Sequence, residues 1–171
     1  MSKRDLKKYL SVLNKEQIEE QILELYMKFP EVKTFYDFVF NPNEEKLLRE
    51  AKVKISSEYF PIKGKRPKMR RSTAQKIIKH FKTLGVDAFV IADIMLYNIE
   101  IAQTYSSKNR NQSDTFYKSF YTSFNQSVSF MIEKGILEEF KERLQKITQL
   151  TLEQKWYNHY DFLAVLERFD Y

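Results

Sequence analysis

Three glycines and four prolines are all that punctuate 171 residues. They make up about 4% of the chain, against roughly 12% in an average protein. Tight turns depend on these two residues for their positive-φ and fixed-φ positions. A β-sandwich, which turns about every 8–12 residues, is therefore excluded. So are the glycine-rich loops that cradle nucleotide phosphates and the elbows that carry nucleophilic serines. Helices with short connections remain. There is no cysteine, which removes disulfides, thiol nucleophiles and cysteine zinc sites. The chain is 43% hydrophobic, enough for a sizeable core at a length where about 70% of the unfolded surface is buried.

Apolar residues recur at helical spacing almost throughout. Leu6, Tyr9, Leu10 and Leu13 mark a first short helix. Asn14 with Gln17 reads as a capping box ahead of Ile18, Ile22, Leu25, Tyr26 and Phe29. Pro30 ends that helix and suits the first turn of the next, which carries Val32, Phe35, Tyr36 and Val39. Asn41-Pro42 reads as cap and first residue of a helix lined by Leu48, Ala51, Ile55 and Tyr59. Residues 61–71 hold two prolines and a glycine and form a loop. Ser72 with Gln75 predicts a second capping box, opening a helix with Ala74, Ile77, Ile78, Phe81 and Leu84 inward and Gly85 as its left-handed cap. Asp87 caps a helix that runs to about Tyr105 and is apolar nearly all round, the mark of a central helix. After a polar linker at 109–112, Phe116, Phe120, Phe124, Val128 and Met131 define a long helix ending at Gly135. Ile136, Leu137, Phe140, Leu144 and Ile147 form another. Leu152, Trp156, Tyr160, Leu163 and Phe169 mark the last. The expectation is one all-α domain over 1–171, an irregular bundle of eight or nine helices. A solenoid-like stack of helical hairpins, suggested by the junctions at Gly85 and Gly135, is the second reading.

Four stretches are similar to an uncharacterised bacterial family of small all-α proteins, a domain of unknown function. They are Phe35-Tyr36-Asp37-Phe38 with Asn41-Pro42, Tyr59-Phe60-Pro61, Arg70-Arg71-Ser72 leading into Ala74-Gln75-Lys76, and 92–100. The resemblance covers most of the chain and implies no activity, cofactor or site residue.

The net charge of +6 is local. Nine Lys/Arg and no acid lie between Lys63 and Lys82, whereas the rest carries 20 basic and 23 acidic groups. Lys63, Lys65, Arg66, Lys68, Arg70, Arg71, Lys76 and Lys79 are candidate anion-binding residues. Arg70 and Arg71 precede a helix N-terminus, where the dipole favours an anion, so a phosphate or carboxylate docked there would relieve the mismatch. The alternative partners are the chain's own carboxylates: Asp93 and Glu100, or Glu16, Glu19, Glu20 and Glu24.

Asp93, Tyr97, Glu100 and Thr104 share one stripe of the central helix, with Asn98 elsewhere. Seven residues place Asp93 and Glu100 roughly 10 Å apart along the axis. That is wide for a glycosidase pair, so ion pairing with the basic segment is preferred to acid–base chemistry. His80 and His159 lack the Glu-x-x-His and His-Glu-x-x-His spacings of metal sites, and no metal or cofactor is expected. Phe116, Tyr117, Phe120, Tyr121 and Phe124 read as core. The face with Ser119, Thr122, Ser123 and Gln126 is polar and almost uncharged, suited to close packing against another helix or a second subunit. The opening residues lack the apolar core of a secretory leader, and no run is long enough to span a bilayer. The expected function is that of a cytoplasmic, non-enzymatic binding or adaptor protein whose basic segment engages an anionic partner, nucleic acid or an acidic protein surface. The alternative is an interaction module in which that segment pairs with Asp93 and Glu100. An enzyme centred on Asp93, Tyr97 and Glu100 comes third.

Overall fold

The computed structural model describes residues 2–62, 64–109 and 112–168. Among them are nine α-helices, one 3-10 turn and no strand, an all-α bundle. The chain divides into two compact units, 1–43 and 44–171, where the sequence reads as one domain.

The first unit holds α1 (Lys3–Leu10), α2 (Lys15–Lys28) and α3 (Pro30–Phe40). Asn14 and Gln17 form the expected capping box, each side chain accepting the other's backbone N–H, at 2.8 and 3.0 Å. Pro30 opens α3 with α2 ending two residues earlier. The hydroxyl of Tyr26 donates to Asp37 at 2.7 Å across the α2–α3 hairpin. None of the unit's described residues is buried. Ile22, Leu25, Phe29, Phe35 and Val39, expected to point inward, are all exposed, as are Leu23, Met27 and Phe40. Three short helices have no further layer within the unit to cover these stripes.

The second unit holds α4 (Glu44–Tyr59), α5 (Arg71–Leu84), α6 (Ala88–Lys108), α7 (Asp114–Lys134), a 3-10 turn (Glu138–Phe140), α8 (Lys141–Glu153) and α9 (His159–Glu167). As its all-round apolarity predicts, α6 is central and packs against α4, α5, α7 and α8. Ile94, Leu96, Ile99 and Ala102 are completely buried. Asp87 caps α6 by accepting the Phe89 N–H at 2.8 Å. Aromatic residues of α7 meet Trp156 and α9 residue Phe162, with Phe116–Phe120 and Phe124–Phe162 centroids 4.8 and 5.0 Å apart. Gly85 and Gly135 end α5 and α7 at φ 73° and 68°, where side chains other than glycine's are disfavoured. Lys155 closes α8 in the same left-handed region at φ 56°.

Several boundaries differ from the sequence reading. Helix α4 starts at Glu44 rather than Pro42. The Ser72–Gln75 capping box does not form, because α5 begins at Arg71 with Arg70 as its cap residue. The last predicted stripe spans a break. Leu152 belongs to α8, Trp156 lies in the turn, and Tyr160 and Leu163 are exposed, whereas Phe162 and Val165 face inward. Phe169 lies outside the described residues.

Candidate anion-binding face

The loop between α4 and α5 delivers adjacent arginines to a helix N-terminus, and the anion that meets the first of them, Arg70, comes from the end of α4. Glu58 is only 7% exposed. Its backbone carbonyl accepts the N–H groups of Lys68 and Met69, both at 3.0 Å. Its carboxylate accepts Arg70 Nε at 3.0 Å, Arg70 Nη2 at 2.7 Å, the Arg70 backbone N–H at 3.3 Å and Thr73 Oγ1 at 2.9 Å. The Arg70 side chain is the main reason that the Glu58 pKa falls to about 2, with Thr73 and the Arg70 N–H helping against the opposing effect of burial. Arg71 turns toward α7, where its Nε donates to Ser123 Oγ at 3.1 Å. Burial lowers its pKa. The arginines thus have internal partners, but not the ones expected: Glu58 and Ser123 take the places assigned to an external anion or to the other carboxylates.

The Asp93–Glu100 stripe is also paired, though not with the basic segment. Arg143 of α8 lies between the two carboxylates. Its Nη1 donates to Asp93 Oδ1 at 2.5 Å, its Nε to Glu100 Oε1 at 2.5 Å and its Nη2 to Glu100 Oε2 at 2.8 Å. Lys52 of α4 meets Asp93 Oδ2 at 2.6 Å, with its ammonium 5.3 Å from the centre of the Tyr97 ring. Burial raises the Asp93 pKa, but hydrogen bonds and charge from Lys52 and Arg143 outweigh it and leave the carboxyl below its ordinary value. Two carboxylates and two cations form a balanced brace joining α4, α6 and α8. Among the described residues, the cations paired with Asp93 and Glu100 come from outside residues 63–82. This corrects the expected internal pairing, and neither carboxylate is left as a free acid or base.

Five candidates remain open to solvent: Lys65, Arg66 and Lys68 on the loop, and Lys76 and Lys79 on α5. None of them makes an ion pair among the described residues. Lys82 continues the row on α5, its Nζ 4.6 Å from the Phe130 ring centre. Lys63 lies outside the described residues. A hollow of about 290 Å³ borders Lys65, Arg66 and Lys68. A larger groove, about 520 Å³, lies between α5 and α7. Lys79 and Lys82 stand on one wall, Asn125, Gln126 and Ser129 on the other, and α6 residue Met95 lines it as well. His80 is exposed, and His159 Nδ1 lies 2.9 Å from the Trp156 carbonyl. Among the described residues, no three His, Asp or Glu side chains gather as a metal site.

Spacing alone passed over Glu58, Lys52 and Arg143. The available signal was charge beside an apolar stripe. Glu58 is three residues from Ile55, Lys52 falls between Leu48 and Ile55, and Arg143 falls between Phe140 and Ile147.

No curated protein and no solved structure matches the chain. A family model matches residues 1–170. Its family is described as "Family of unknown function (DUF6155)", and the chain, matched along almost all of its length, belongs to it.

Proposed function

We propose that this is a cytoplasmic, non-enzymatic binding protein that engages an anionic partner, nucleic acid foremost, through its exposed cations. The observation that carries the reading is the set of five solvent-facing groups, Lys65, Arg66, Lys68, Lys76 and Lys79, without ion pairs among the described residues. The segment from Lys63 to Lys82 contains no acid to oppose an approaching phosphate. The Glu58 anchor supports the reading, because it fixes the C-terminal end of the loop through backbone and side-chain bonds. Ordering that end in advance lowers the entropy lost on binding.

A mobility-shift titration against mixed RNA and DNA at several salt concentrations tests this. Neutralising three to five phosphates gives a log–log salt slope of about −2 to −4.5. Lys76→Gln with Lys79→Gln should flatten the slope by about one to two units. If the parent binds neither nucleic acid even at low salt, the reading fails.

A further inference from the structure

The groove between α5 and α7 has walls of different chemistry. The α5 wall carries Lys79 and Lys82, with exposed Lys76 one turn nearer the N-terminus. On α7, no charged residue occurs from Ser119 to Ile132. The groove side of that stretch presents the exposed amides of Asn125 and Gln126 and the hydroxyl of Ser129. Ile78, Met95 and Phe130 close the space between the walls. One charged group, Glu133, stands on the α7 side, 3.3 Å from its neighbour Lys134.

We propose that the groove holds a single strand of nucleic acid, with phosphates against the α5 lysines and base edges against Asn125, Gln126 and Ser129. This rests on the nucleic-acid reading above and specifies its form. Side-chain amides both donate and accept, which suits the mixed edges of unpaired bases. A concave site of about 520 Å³ is of the size that takes a small ligand. A duplex keeps its Watson–Crick edges paired, so those edges are not offered to Asn125, Gln126 and Ser129. An acidic protein segment would match the lysines but be repelled by Glu133 and offer no base edges to Asn125, Gln126 and Ser129. Glu133 repels phosphate from α7 and so favours the backbone on the α5 side.

The test is fluorescence anisotropy with the full chain and labelled single-stranded RNA and DNA, duplexes of the same sequence, and polyglutamate. Single strands should bind at least tenfold more tightly than duplexes at equal salt. Asn125→Ala with Gln126→Ala should weaken single-strand binding about three- to tenfold with the salt slope unchanged. Lys76→Gln with Lys79→Gln should flatten the slope instead. Gln126→Glu, nearly isosteric, reads the same contact by repulsion and should weaken binding even if the alanine pair disturbs folding. Equal affinity for single strands and duplexes, no effect at Asn125 and Gln126, or polyglutamate binding as tightly as the strand overturns the inference. Binding to nucleic acid in the first two outcomes leaves the broader function standing. Absence of nucleic-acid binding overturns both.

Discussion

A carboxylate as buried as Glu58 stays ionised only if its oxygens are hydrogen-bonded, and Arg70 and Thr73 meet that need. Arg70→Gln leaves the Glu58 charge buried without its cation and should lower stability, measured by urea unfolding. The pH dependence has a defined sign. The folded pKa of Glu58 lies near 2 against an ordinary 4.5, so its contribution is present above about pH 4.5 and is lost as the pH falls toward 2. Water around half-exposed Arg70 screens this contribution, and the acid limb should flatten in Arg70→Gln. A second residue-scale expectation concerns packing. Phe120 is 2% exposed, and Phe120→Ala should cost about 3–5 kcal/mol in the same measurement. Ile22 is 38% exposed, and Ile22→Ala should cost less than about 1 kcal/mol. Helical spacing identified both as members of apolar stripes. It could not distinguish them, because burial depends on what lies opposite.

Among the elements, the helices were legible where a local signal marked their ends. Asn14–Gln17, Pro30, Gly85, Asp87 and Gly135 each impose a backbone geometry or a hydrogen bond that needs no distant partner. The start of α5 was misread because its deciding bond comes from Glu58, twelve residues before Arg70. The carboxylate stripe on α6 was legible for a related reason: one helix suffices to align Asp93 with Glu100. Their partner on α8 lies 50 and 43 residues away, respectively, and no periodicity reaches that far. Arg143→Met should destabilise the protein by about 3–5 kcal/mol, since it leaves two partly buried carboxylates short of a shared cation. Adding Asp93→Asn and Glu100→Gln should recover part of the loss, because it removes both uncompensated carboxylates and leaves Lys52 as the one remaining charge of the network. Thermal melts of the single and triple variants check this, and failure to recover would show that Arg143 stabilises mainly through packing.

Across the whole molecule, full apolar burial is confined to one region of sequence among the described residues. All the fully covered side chains fall in 44–171 among the described residues, whereas 2–43 contributes none. Heat capacity reads this asymmetry directly. On unfolding, a protein takes up heat capacity in proportion to the apolar surface that water newly reaches, commonly about 12–15 cal/mol/K per residue. A chain of this length with an evenly distributed core would show about 2.1–2.6 kcal/mol/K. Because the second unit supplies most of the newly wetted surface, differential scanning calorimetry should give a value below that range, toward the roughly 1.5–1.9 kcal/mol/K of the second unit alone. The stability curve would then be broader than the chain's length implies, with a shallower decline on either side of its maximum.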